Sequence, residues 1–208
     1  ELKEAWIRAL RRAHAPLAYS KGFHAQPKIT FSTACPVGEE STGDYMDACL
    51  KSYEDPQALL ERLGTKLPTG FHLYSAEDIP LRAPSLMSAV EGFAYSFHTD
   101  IAACELTTKI EDILARDEVM VERKVKQKKI RGRSQPRKLS MVDIRPMIHS
   151  LTAEEGADGK TVVHFETSLH DHRLAKPKEI LWLLGLVEAH TRILKENTFL
   201  SSLDMGVQ

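Results

Sequence analysis

The sequence predicts an α+β protein: two ferredoxin-like, split βαβ units in tandem, the first without its N-terminal strand. Three observations predict this. Segments of alternating hydrophobicity are interleaved with segments of helical periodicity, rather than grouped apart. The order helix–strand–strand–helix–strand is followed, after a proline-bounded linker at residues 80–84, by strand–helix–strand–strand–strand–helix. The 208 residues are 42% hydrophobic and 27% charged, enough apolar material for a buried core.

The first unit is expected over residues 1–79. Leu2, Ala5, Trp6, Ala9, Leu10 and Ala13 recur at i, i+3, i+4, i+7, i+8 and i+11, which makes one apolar helical stripe. Arg8, Arg11 and Arg12 lie off that stripe and near one another, and Pro16 ends the helix. The chain opens inside this helix, so the unit's first strand is expected upstream of Glu1. Residues 28–32 alternate, with Ile29 and Phe31 inward, and predict a strand. Pro36, Gly38 and residues 39–43 read as a turn, and 45–50 as the returning strand. Asp55 and Pro56 supply an N-cap and a first-turn proline. Leu59, Leu60 and Leu63 face inward, and Gly64 stops the helix. Residues 71–76 complete the unit as a strand.

The second unit is expected over residues 85–208. Residues 92–98 are strand-like. Thr99 or Asp100 caps a helix carrying Leu106, Ile110, Ile113 and Leu114. Residues 119–125 return as a strand. The basic stretch 123–138, with Gly132 and Pro136, forms a hairpin tip or loop. Residues 139–151 and 161–169 are further strands around a turn at Gly156 and Gly159. Pro177 opens the last helix, with Ile180, Leu181, Leu184 and Val187 inward.

Charge is unevenly spread. The net charge is −1, yet residues 123–138 hold nine Lys or Arg and no acid, so the remainder carries −10. No apolar run approaches the ~20 residues of a membrane span, and the N-terminus lacks a signal-peptide shape. Three widely spaced cysteines, Cys35, Cys49 and Cys104, form neither a metal motif nor a disulfide framework. They are expected as buried small hydrophobes in a reducing, cytoplasmic setting.

One set of segments runs through the first unit: Arg8-Ala9-Leu10-Arg11-Arg12, Leu17-Ala18-Tyr19-Ser20-Lys21-Gly22-Phe23, Pro27-Lys28, Phe31, Pro36, Gly38, Ser41 and Asp44-Tyr45-Met46-Asp47. It resumes at Leu67-Pro68-Thr69-Gly70, Asp143-Ile144-Arg145-Pro146 and Lys176-Pro177-Lys178-Glu179-Ile180-Leu181. Together these segments resemble a bacterial radical-SAM-linked domain of unknown function, found alone or fused behind a radical-SAM enzyme with a cobalamin-binding-type domain. There are departures. His24-Ala25 replaces the family's usual Asn-Pro, His14 stands where Gly is usual, and Lys176 where Arg is commoner. The resemblance implies a companion of radical-SAM proteins. The iron–sulfur cluster and S-adenosylmethionine would belong to the enzyme module, because this chain has no Cys-x3-Cys-x2-Cys run.

Two surfaces are candidates for an anionic partner. Arg8, Arg11, Arg12, Lys21 and Lys28 can hold phosphates by charge-assisted hydrogen bonds. Tyr19, Ser20, Gly22 and His24 follow in a loop where glycine lets a ligand approach the backbone; the bland alternative is a solvated helix face paired with Glu4. Lys126, Lys128, Lys129, Arg131 and Arg133 in the basic stretch suit sequence-independent backbone contact, since that stretch has no aromatic residue. Asp143 and Arg145 are read first as a strand-end clamp and second as part of the anion surface. His164, His170 and His172, with Asp171, read as exposed strand residues before metal ligands. No nucleophile–base pair, phosphate loop or paired-acid motif is present in the sequence.

The expected function is therefore a non-catalytic substrate- or partner-binding domain for a radical-SAM enzyme in cis or trans, contacting RNA or a ribosome-related RNA–protein particle. The rival readings are an RNA-processing or RNA-modifying enzyme working through the Tyr19–His24 loop and a pure protein-docking module.

Overall fold

The computed structural model describes residues 2–125 and 138–201 and shows a mixed α+β protein. In chain order its elements are α1 (Leu2–Arg12), β1 (Ile29–Phe31), β2 (Glu39–Ser41), β3 (Met46–Ala48), α2 (Pro56–Gly64), α3 (Leu86–Ala89), β4 (Val90–Thr99) and α4 (Ala103–Leu114). There follow β5 (Met120–Val125), β6 (Lys138–Asp143), β7 (Ile148–Glu155), β8 (Thr161–Ser168), α5 (Pro177–Leu184) and β9 (Arg192–Leu200). Two compact units divide the described chain: residues 2–33 with 45–89, and residues 34–44 with 90–201. The segment 34–44, expected within the first unit, thus clusters with the second.

In the first unit Ala9, Leu10 and Ala13 of the expected α1 stripe are buried, together with Ile7 from outside it, against Leu17, Ile29 and Leu63, while Leu2 at the start of the stripe is exposed. Strands β1 and β3 pair antiparallel, with Thr30 opposite Asp47. The chain between them and α1 adds backbone bonds from Ala18 N–H to the Cys49 carbonyl (2.8 Å) and from Lys28 N–H to the Ala18 carbonyl (2.9 Å). Helix α2 begins as expected: the Asp55 carboxylate accepts from the Ala58 N–H at 2.8 Å, with Pro56 in the first turn. Residues 71–76, expected as a strand, form none. They alternate in hydropathy, but no neighbouring strand accepts their backbone.

Helix α1 ends before Pro16. Ala15 N–H donates to the Leu10 carbonyl and His14 N–H to the Arg11 carbonyl, both at 3.0 Å, and His14 takes a left-handed φ of 54°. This is the Schellman closure that glycine usually supplies. Helix α5 ends in the same closure with Gly185, φ 72°, in the corresponding place.

The second unit is built on a five-stranded sheet in the order β2-β9-β4-β8-β7. β4 pairs antiparallel with both β8 and β9, β7 pairs antiparallel with β8, and β2 lies parallel to β9. Chain order and sheet order together give β4-α4-β7-β8-α5-β9, with the β5–β6 hairpin inserted after α4. Phe97 and Phe165 are fully buried with Leu106, Ile110, Ile180, Leu184 and Ile193 in one core. Burial of each such side chain contributes about 1.5–3 kcal/mol.

Several expectations are corrected here. Residues 39–43 hold a strand rather than only a turn, because the short β2 finds a parallel partner in β9. The expected strand 139–151 is two strands, broken by a 3₁₀ turn at Arg145–Met147 where Pro146 denies a ladder donor. Helix α4 is preceded by Ala102 rather than capped by Thr99 or Asp100; Thr99 ends β4 and its hydroxyl accepts from the Ile101 N–H. β9 itself, the strand that closes the second unit, lies in a segment given no strand in the sequence reading. Val187 is exposed, because α5 has already ended. None of the three cysteines is fully buried, and Cys104 is exposed.

Candidate nucleic-acid interface

The sequence-expected cations of the first unit are presented by α1 and by the segment that links it to β1. With the apolar stripe turned inward, Arg8, Arg11 and Arg12 are left exposed. The loop that follows is closed at its neck. Ser20 N–H donates to the Gln26 carbonyl at 2.8 Å, and Gln26 N–H donates to the Ser20 hydroxyl at 3.0 Å. A bridge between Tyr19 and Pro27 lies immediately outside this neck. At the tip, Gly22 takes a φ of +130°, a conformation side chains rarely adopt. Lys21, Phe23 and His24 are exposed there, with the His24 ring edge-on to Phe23 at 5.1 Å.

Tyr19 organises the cations around it. The Arg11 guanidinium carbon lies 6.0 Å from its ring centroid, and the Lys51 ammonium 5.4 Å. Both are within cation–π range and hold two positive charges beside one half-buried ring. Lys51 is fixed by its backbone, whose N–H donates to the Pro16 carbonyl at 2.7 Å. The sequence-expected residues divide accordingly. Arg11 and Tyr19 come together. Arg8, Lys21 and Lys28 are exposed, their charges in no ion pair among the described residues. Arg12 is drawn into structure, since its guanidinium donates to the Lys66 carbonyl at 2.9 Å. Ser20 closes the loop neck.

Sequence reasoning missed Lys51 and Phe23. One signal was available: from residue 5 to residue 38 the chain holds five Lys or Arg and no acid. Lys51 lies outside that run and joins only through the pairing of 16–18 with 49–51.

Lys126, Lys128, Lys129, Arg131 and Arg133 lie outside the described residues. At the edge of that stretch, Arg123 is committed to structure. Its guanidinium makes two 2.8 Å hydrogen bonds to the Glu179 carboxylate and one to the Leu174 carbonyl. Asp143 and Arg145 form a clamp. The Asp143 carboxylate accepts from Val119 N–H (2.8 Å) and Arg145 N–H (2.9 Å), while the Arg145 guanidinium donates to the Leu114 carbonyl at the end of α4.

The second unit holds a polar cluster that the sequence did not single out. Lys195 of β9 is 4% exposed, ion-paired with Asp44, and 5.3 Å from the Phe93 ring. The Cys35 thiol donates to the Glu39 carbonyl at 3.3 Å. Burial, then the Asp44 charge, pushes this thiol's pKa up, with Lys195 opposing, which disfavours its thiolate form. Burial likewise raises the Glu39 carboxyl, against Lys178 and Lys195, and the Tyr95 phenol well above its usual range. The Ser41 hydroxyl is buried with no partner among the described residues. The cluster anchors residues 34–44 to β9: Thr42 N–H donates to the Lys195 carbonyl, and the Thr198 hydroxyl to the Gly43 carbonyl.

Among the described residues no three His, Cys, Asp or Glu side chains converge as a metal site. His164 contacts Glu154 at 3.3 Å and His170 contacts Asp171 at 3.8 Å, while Asp171 and His172 turn through left-handed φ values. An open cleft of about 370 Å³ in the first unit is lined mainly by apolar groups, including Leu60, Leu67, Phe71 and Leu73, with none of the cations named above. No helix of the described residues is long and apolar enough to cross a membrane.

The model of a family described as "Uncharacterized protein conserved in bacteria (DUF2344)" matches residues 1–177. A search of curated proteins found no significant match.

Proposed function

The chain belongs to this bacterial family, and from that premise we propose that it is a non-catalytic binding domain which serves a radical-SAM enzyme and holds RNA or an RNA–protein particle for it. The observation that carries the proposal is the acid-free run of residues 5–38, from which Arg8, Arg11, Lys21 and Lys28 emerge exposed. Arg11 and Lys51 sharing the Tyr19 ring add to it. Exposed cations of this kind attract a polyanion by counterion release and carry little sequence information. The radical chemistry would stay with the enzyme module, which would hold the cluster and S-adenosylmethionine. A bacterial cytoplasm is the setting that suits such a partner.

A reading in which the Tyr19–His24 loop does chemistry finds less support. His24 is exposed against Phe23, and no acid pairs with it among the described residues. The tandem reading of the fold is likewise our own. The order β9-β4-β8-β7 with two crossover helices supports a ferredoxin-like, split βαβ second unit. The two-stranded sheet of the first unit lends the tandem no such support.

The test is filter binding of a single-stranded RNA 20-mer by the whole chain between 50 and 200 mM salt. The proposal expects a linear fall of log K with log salt, with a slope of about −0.7 per phosphate contacted. A flat plot, or no binding at 50 mM, overturns it.

A further inference from the structure

Phe23 is 98% exposed at the tip of the loop between Lys21 and His24. We propose that Phe23 is a stacking platform for an unpaired base, so that the RNA recognised by the exposed cations is single-stranded at this point; the inference rests on the RNA reading above and adds the substrate class.

A single exposed aromatic side chain needs no explanation by itself. Its setting here does. The loop is clamped at its neck by the two Ser20–Gln26 hydrogen bonds, and Gly22 makes the turn at the tip, so the ring is carried on a braced support. Preorganisation of that kind lowers the ordering cost of binding. The His24 ring meets Phe23 edge-on, with 87° between the planes, a geometry that buttresses the phenyl without being stacked on it. Lys21 precedes the ring by two residues and Lys28 follows it by five, with no acid from residue 5 to residue 38.

An aromatic platform flanked by backbone-binding cations is how proteins hold single strands, because every base has a π-face. A paired A-form helix hides those faces within its stack and offers a side chain phosphates and 2′-hydroxyls instead. Membrane insertion is the weaker match. One phenyl ring gives marginal anchoring, and stable attachment takes two signals.

The experiment compares wild type, Phe23→Ala and Phe23→Trp, as the whole chain, against a single-stranded RNA 12-mer and the duplex of the same length. The inference expects Phe23→Ala to weaken single-strand binding about 5- to 150-fold. It also expects an unchanged salt slope, duplex binding changed less than twofold, and restored affinity in Phe23→Trp. Equal single-strand affinity for wild type and Phe23→Ala, with the salt slope intact, overturns stacking and leaves the RNA reading standing. No binding of either RNA by wild type overturns both. Binding to phosphatidylglycerol vesicles that Phe23→Ala abolishes while single-strand affinity stays unchanged assigns the ring to a membrane surface and overturns the inference.

Discussion

Arg123 and Glu179 form a two-pronged ion pair, both hydrogen bonds at 2.8 Å and each side chain 14% exposed, that ties β5 to the first turn of α5. Glu179 also accepts from the Lys176 N–H at 2.9 Å, one of the donors a helix N-terminus leaves unpaired. Arg123 is the first cation of the basic stretch, and its charge is already used. Arg123→Ala is expected to cost about 2 kcal/mol, between the values for surface and fully buried pairs. That corresponds to a fall in Tm of roughly 4–8 °C. Glu179→Ala costs more, since the Lys176 N–H loses its partner too. Urea unfolding checks both, and the salt slope of RNA binding stays unchanged in Arg123→Ala.

The left-handed His14 predicts a stabilising substitution. A side chain in this region costs about 1–2 kcal/mol relative to glycine, which has no Cβ to clash. His14→Gly keeps the closure of α1 on Leu10 and Arg11 and is expected to raise stability by about 1 kcal/mol. The corresponding change at the end of α5, Gly185→Ala, lowers it by a similar amount. Paired urea titrations measure the two shifts, which should have opposite signs.

Glu39 makes stability depend on pH in a defined direction. Burial raises its folded-state pKa above the unfolded value, so the folded chain binds the proton more readily. The resulting penalty is absent below the unfolded pKa. It develops as pH rises above the unfolded pKa and is complete only above the folded pKa. Glu39→Gln cannot titrate. Its stability relative to wild type is therefore more favourable at pH 7 than at pH 4, as chemical denaturation at the two pH values would read. The lowered pKa of Glu40, held by its hydrogen bond to Arg192, acts in the opposite sense and is common to both proteins.

The parts of the fold legible in the sequence are those whose local pattern and tertiary role agree. The stripe of α1, the Asp55–Pro56 start of α2 and the alternating β8 each carry their own signal. β9 was hidden because the buried Lys195 interrupts its apolar alternation, and burial there depends on Asp44, far away in sequence. β2, the tripeptide Glu39-Glu40-Ser41, reads as a polar turn until β9 exists to pair with it. At the candidate interface, the arginines of α1 were visible as an off-stripe cluster. Capture of Arg12 by the Lys66 carbonyl and the arrival of Lys51 at Tyr19 depend on tertiary pairing that no local pattern encodes.

The central claim is that the exposed cations of the first unit hold an RNA backbone. The most direct measurement is the salt dependence of single-stranded RNA binding by wild type and by the triple variant Arg8→Ala, Arg11→Ala, Lys28→Ala. If each cation meets one phosphate, the slope of log K against log salt becomes less negative by about 2, and affinity at 50 mM salt falls steeply while the fold is kept. An unchanged slope and affinity in the triple variant would contradict the account.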